Sequence, residues 1–309
     1  MTRQLPILDT GFSASWRHAV RDTLENFPNA FPPNRQAVPQ PDQAHERQRI
    51  MGFFTDTTLC IGCKACEVAC KQWNQLPSTG FTFTANSYDN TQHLGATTWR
   101  HVAFKEKIAA SGSDGEMHSR WLMMSDVCKH CQKAPCQHSC PTGAIIYNEF
   151  GDVYLQNDIC NGCGYCIAAC PFGVLGRADA AHDDGHAHKC TLCMDRQAAN
   201  MTPACAKVCP TSSIQFGPIE DLRAAARQRV HDLQERGNDH AYLYGCDSVG
   251  DYGPLHAFFL LEDHPNEYNL PENPPQPFRG QTLRYAASLA VGATLATAAA
   301  WLFGGGRRG

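Results

Sequence analysis

Cys160-Asn-Gly-Cys163-Gly-Tyr-Cys166-Ile-Ala-Ala-Cys170-Pro171 is the run on which the rest of this 309-residue chain turns. It sets three cysteines at i, i+3 and i+6 on one tight loop, with a fourth four residues on. The same spacing recurs as Cys60-x2-Cys63-x2-Cys66-x3-Cys70. Two looser variants are Cys128-x2-Cys131-x4-Cys136-x3-Cys140 and Cys190-x2-Cys193-x11-Cys205-x3-Cys209. Together they use all but one of the 17 cysteines. Three thiolates on one loop plus a remote fourth is how a cubane iron–sulfur cluster is held, so the runs supply ligands for four 4Fe-4S clusters.

Other uses of cysteine fit less well. A disulfide scaffold suits short secreted chains, and here the chain is long and the count is odd. Structural zinc takes ligands in two separated pairs. The last run alone would pass for zinc, but three cysteines crowded on one loop in the first and third would not. A chain with four clusters is most simply a path for electrons.

Pro141, Pro171 and Pro210 follow the fourth cysteine of three runs, whereas Lys71 follows Cys70. This is the run of bacterial two-cluster ferredoxins, in which the fourth cysteine serves the other cluster of the pair. If that exchange holds here, one cluster takes Cys60, Cys63, Cys66 and Cys209, and a second takes Cys70, Cys190, Cys193 and Cys205. A third takes Cys128, Cys131, Cys136 and Cys170, and a fourth takes Cys140, Cys160, Cys163 and Cys166. Gly62, Gly162 and Gly164 lie inside the loops, where backbone must approach the inorganic core closely. Cys246, alone on an apolar run, reads as a small buried hydrophobe.

The architecture that follows is α+β: two ferredoxin-like two-cluster units, one inserted in the other, plus a C-terminal transmembrane helix. The runs Ala144-Ile-Ile-Tyr147 and Asp152-Val-Tyr-Leu-Gln156 flank a Gly-containing turn and predict a hairpin, so residues 126–176 form the inserted unit. Residues 51–125 and 177–217 form the outer unit. A strand is expected over Ile214-Gln-Phe216, then a helix over 219–236 ending at Gly237. Apolar runs at 241–244 and 256–261 are strand length, and 218–262 read as a small α/β elaboration. Residues 263–284, rich in Pro and Asn, read as an extended linker. Residues 1–50 form an extension, with an amphipathic helix over 13–27 and a Pro-rich linker over 28–43. His182, His186 and His188 could form a metal site, but their irregular spacing favours a solvated loop.

Apolar residues make up 43% of the chain, enough for a core, and the net charge of −4 gives no case for nucleic acid. The N-terminus lacks a secretory h-region and a twin arginine. So many free thiolates imply assembly in the cytoplasm. Residues 285–303 hold no charge and approach the length of the ~30 Å hydrocarbon core. Tyr285 and Trp301 sit near the ends, and Arg284, Arg307 and Arg308 bracket it. A buried Ala-rich helix would share this composition. Length, terminal position and flanking arginines favour a single membrane anchor, with no preferred side. Ser288, Gly292, Ala296 and Ala300 form a small-residue seam suited to a second membrane helix.

The stretches Leu59-Cys-Ile-Gly-Cys-Lys-Ala-Cys66, Val127-Cys-Lys-His-Cys131, Cys140-Pro-Thr-Gly-Ala144, His188-Lys-Cys-Thr-Leu-Cys193, Cys205-Ala-Lys-Val-Cys-Pro210 and Ala257-Phe-Phe-Leu-Leu261 resemble the β subunit of formate dehydrogenase. The resemblance covers about residues 51–270. It implies a non-catalytic subunit that relays electrons through four 4Fe-4S clusters. The implied partners are a large molybdopterin catalytic subunit and a membrane cytochrome b-type subunit, with co-export if the complex faces outward. The alternatives are the β subunit of another molybdopterin oxidoreductase or hydrogenase, and a freestanding polyferredoxin. Nitrate-type relatives replace one ligand, whereas here all sixteen positions are cysteine.

Overall fold

A computed structural model describes residues 50–80, 85, 88–111, 116–178, 184–274 and 281–304. The helix expected at 13–27 and the linker at 28–43 lie outside these residues. The core is a mixed sheet of four strands: β1 (Met51–Asp56), β8 (Ile214–Pro218), β9 (Tyr242–Tyr244) and β10 (Ala257–Leu261), in the order β8-β1-β10-β9. β10 runs parallel to β1 and antiparallel to β9, with Phe54 opposite Phe258 and Phe259 opposite Tyr244. All five residues of Ala257-Phe-Phe-Leu-Leu261 are buried. An unbroken apolar run of this length is what a strand covered on both faces requires. The 218–262 segment is therefore not an appendage: its last strand fills the middle of the sheet on which the outer cysteine runs are mounted.

One long helix covers this sheet. It spans Ile219–Glu235 and begins directly after Pro218, with Glu220 and Asp221 in the first turn, where carboxylates favour the helix dipole. Ile219, Leu222 and Ala226 are its buried residues, on one face. Arg229 Nε pairs at 2.9 Å with Asp56 Oδ2 at the end of β1, a carboxylate with no exposed surface.

The short helices carry the cysteines. In chain order they are α1 (Ala65–Trp73), α2 (Pro135–His138), α3 (Tyr165–Ala169), α4 (Met194–Ala198) and α5 (Ala204–Val208), with the long helix as α6. α1 packs on α5, and α2 packs on α3. The first run is thus brought to the last, and the second to the third. The expected hairpin forms as β4 (Ile145–Tyr147) against β5 (Val153–Leu155), and β6 (Gly176–Arg177) pairs with β7 (Ala187–His188). The turn between β4 and β5 is closed by the Asn148 side chain, which accepts from the N–H groups of Phe150 and Asp152.

Two features go beyond the sequence reading. Strands β2 (Arg100–Ser111) and β3 (Glu116–Val127) form a long hairpin whose base carries Arg100, Val102, Ser125 and Val127 into the core. The stretch expected to be an extended linker from 263 instead makes a 3-10 turn at Pro265–Tyr268. Tyr268 and Leu270 are buried there, and Tyr244 Oη donates to Pro271 O at 2.7 Å. The prolines set the turn, but two apolar side chains hold the segment to the sheet. After it, α7 (Gln281–Gly304) exposes Leu289, Val291 and Leu295. Among the described residues, no helix is long and apolar enough to cross a membrane.

The sheet core makes a direct stability prediction. Phe258 is fully buried and stacks on Phe54 with ring centroids 5.3 Å apart. Phe258→Ala is expected to cost about 3–5 kcal/mol, read as a lower denaturation midpoint followed by loss of visible cluster absorbance.

Candidate metal centres

Three of the cysteine loops turn into a helix through a residue in the left-handed region, whereas α2 follows Ala134 in extended conformation. Lys64 (φ 59°) precedes α1, Gly164 (φ 79°) precedes α3 and Cys193 (φ 52°) precedes α4. The turn lets the third cysteine of the first and third runs follow on the first helical turn, facing back over the loop. Gly162 (φ 67°) also lies against the Gly185 carbonyl, where no Cβ would fit. Backbone donors reach the sulfurs: Gly162 N lies 3.4 Å from Cys160 Sγ, and Leu192 N lies 3.3 Å from Cys190 Sγ. Such N–H groups stabilise negative charge on sulfur and tune a cluster's potential.

The sixteen thiols gather in four places. One pocket is lined by Cys60, Cys63, Cys66 and Cys209. Another is lined by Cys140, Cys160, Cys163 and Cys166. Cys70 lies within electrostatic reach of Cys190, Cys193 and Cys205, and Cys193 within reach of Cys190 and Cys205. Cys128, Cys131, Cys136 and Cys170 lie within electrostatic reach of one another. Every group takes three thiols from one run and one from another, as α1 on α5 and α2 on α3 bring them. Cys246 is buried and belongs to none of these groups.

The groups follow one another. Cys66 of the first senses Cys205 of the second, Cys190 of the second senses Cys128 of the third, and Cys136 of the third senses Cys166 of the fourth. Only Cys63 and Cys163, in the first and last groups, are exposed. All four thiols of the second group are buried, as are three of the third. The path is insulated in the middle and open at both ends.

Burial governs the thiols. It pushes Cys66 and Cys166 up to about 11, and Cys136 and Cys193 up to about 12. Thiols this reluctant to ionise stay neutral until a metal displaces their protons. Cys140 differs: hydrogen bonds from Thr142 and from backbone N–H groups outweigh its slight burial and lower its pKa. Sets of soft sulfur donors suit iron–sulfur chemistry. Two buried cations add to the fit. Arg100 and Lys189 are almost inaccessible, and among the described residues neither has a carboxylate at ion-pair distance. Buried positive charge of this kind calls for an anion, and an iron–sulfur core ligated by four thiolates supplies one. Arg100 belongs to no motif, and although Lys189 lies directly before Cys190, sequence reading gave neither residue a role.

Two matches to the 4Fe-4S dicluster domain family span residues 59–144 and 119–219. The formate dehydrogenase-O iron-sulfur subunit of Escherichia coli (strain K12) is 40% identical over 75% of this chain and 74% of its own length. This chain belongs to that family of iron–sulfur subunits. The formate dehydrogenase iron-sulfur subunit of Haemophilus influenzae is 39% identical over 75% of this chain and 72% of its own. The thiosulfate reductase electron transfer subunit PhsB of Salmonella typhi is 35% identical over 64% of this chain and 93% of its own. With two dicluster domains and four groups of thiols, the chain carries four 4Fe-4S clusters. They accept and give up single electrons when bound.

The remaining candidates sit apart. His188 Nε2 is 2.9 Å from Asp184 Oδ1, and His186 N donates to the same oxygen, so these residues close a surface loop. His182 lies outside the described residues. An open cleft of about 870 Å³ beside Cys63 is lined by Ile61, Tyr88, Phe104, Trp121 and Met123.

Two measurements follow. Cys209→Ser is expected to lower iron content by about a quarter, because Cys209 completes the group of Cys60, Cys63 and Cys66 rather than that of its neighbour Cys205. Iron analysis and spin counting of the reduced protein check this. Asp152, fully inaccessible, is raised to about 7 by burial, against hydrogen bonds from Asn148 and Gln197. A carboxyl whose folded pKa is raised gives stability that is lost as pH climbs from its unfolded value through about 7. Asp152→Asn is therefore expected to flatten the fall in melting temperature between about pH 4 and 7.

Proposed function

We propose that this chain is the electron-transfer subunit of a formate dehydrogenase complex. It receives electrons from a large molybdopterin catalytic subunit and passes them through its four clusters to a membrane cytochrome b or quinone acceptor. The observation that carries this is the row of four thiol groups, buried in the middle and exposed at Cys63 and Cys163, in a chain alike over three quarters of its length to formate dehydrogenase subunits. A subunit that only conducts needs two contact points and an insulated path, and catalysis is left to its partner. The aromatic cleft beside Cys63 suits one such contact.

We also infer membrane attachment through residues 285–303. The uncharged run, its flanking arginines and the apolar side chains that α7 turns outward support this reading. Its small-residue seam fits a helix of the cytochrome subunit. The second reading, the equivalent subunit of another molybdopterin oxidoreductase, is favoured by one observation: the match to the thiosulfate reductase subunit spans 93% of that protein.

Purification of the tagged chain in mild detergent, with identification of co-purifying chains and a formate–dye assay, tests both readings. Recovery of a large molybdopterin subunit with formate activity is the expected result. A different large subunit would keep the conductor and change the substrate. Full-length protein that stays soluble and alone without detergent would remove the anchored-subunit reading.

A further inference from the structure

One cation touches two of the thiol groups at once. Arg100, at the start of β2, is 1% exposed. Its Nη2 donates to Cys205 Sγ at 3.3 Å. Its Nη1 donates to Ser125 O at 3.1 Å and to Ser125 Oγ at 3.3 Å. The same Ser125 hydroxyl lies 3.2 Å from Cys66 Sγ. The guanidinium therefore bonds directly to a thiol of the second group and, through one hydroxyl, to a thiol of the first. The Phe53 ring, 4.8 Å from its central carbon, closes one side.

We propose that Arg100, bridged to Cys66 by Ser125, is a positioning residue that sets the reduction potentials of the first and second clusters together. The proposal rests on the ligand groups described above. Arginine cannot shed its charge in a protein, and in this buried place water does little to screen it. Reduction adds one electron and makes a cluster more negative, so a fixed cation beside it favours the reduced form and raises the potential. One electron passing from the first cluster, which is oxidised, to the second, which is reduced, stays beside the same positive charge. No bond is made or broken and no proton moves. The shared guanidinium shifts both potentials in the same direction, so removing its charge moves the two clusters together. Lys189 is buried within electrostatic reach of Cys128, Cys136 and Cys190 but donates to the carbonyls of Val153 and Cys190 rather than to a thiol, and Asp152 is also within its reach.

The test uses the full chain in its complex, as wild type, R100Q, R100K and S125A. Iron content is measured first, then an EPR-monitored redox titration. In R100Q, two of the four potentials are expected to fall and two to stay. The fall corresponds to at least tenfold in each reduction equilibrium, about 59 mV for a one-electron couple. R100K, which keeps the charge, is expected to restore most of the fall. S125A is expected to lower one potential alone. Unmoved potentials in R100Q, or an even shift of all four, would overturn the proposal. If R100Q fails to load its clusters, S125A decides: an unmoved set of potentials there overturns it as well. A wild-type chain with fewer than four clusters would instead sink the ligand grouping beneath it.

Discussion

Bringing sixteen sulfur ligands into one protein body confronts the fold with a charge problem. Thiolates and the cores they bind are anionic, and anions taken out of water are costly unless something nearby is positive or donates hydrogen bonds. The structure answers at three levels. Left-handed turns aim backbone N–H groups at sulfur, as at Cys160 and Cys190. Arg100 and Lys189 are buried where neighbouring groups meet. The outer thiols, Cys63 and Cys163, are left to solvent. Without metal, burial disfavours ionisation of Cys70, Cys136 and Cys193, while among the described residues neither Arg100 nor Lys189 has a carboxylate at ion-pair distance. Cluster binding and folding are therefore one event in this region.

Mixing of the runs within each thiol group gives that event its reach. Cys209 lies with Cys60, Cys63 and Cys66, and Cys70 lies near Cys193 and Cys205, so clusters held there would tie the first run to the last. Closing such long loops costs chain entropy, which grows only slowly with length. The four-stranded sheet shares this work. β1 lies directly before the first run and β8 directly after the last, and the two pair in antiparallel register. β10 then packs beside β1, so the chain after the cysteines completes the floor under those that came first.

The parts legible in the sequence are those written locally. The cysteine runs state their own spacing, and the proline after the fourth cysteine of three of them points to exchange. The hairpin at Asn148 and the helix after Pro218 carry ordinary turn and periodicity signals. Ala257-Phe-Phe-Leu-Leu261 reads as a strand, but nothing local says that it lies between β1 and β9. The β2–β3 hairpin was not read, because its long strands mix charged and apolar residues without clean alternation. Arg100 was invisible for a stronger reason: its meaning depends on Cys205, which comes to it only through folding. Tyr268 and Leu270 were masked by the prolines and asparagines around them.

Conduction asks something different of a protein than catalysis does. A catalyst needs a pocket where reacting groups meet, whereas a conductor needs spacing, insulation and matched energies. Spacing comes from the short helices, whose fixed packing sets one thiol group beside the next. Insulation comes from burial of the second and third groups. Energy matching falls to charges that cannot move or titrate away. A guanidinium serves better there than a histidine, because its charge does not change with pH. His130 makes the contrast: it sits between Cys128 and Cys131, and burial drives its pKa well below the usual range, so it stays neutral. Buried cations lie at the junctions and a neutral imidazole lies within a ligand loop, so the positive charge is placed between thiol groups rather than inside one.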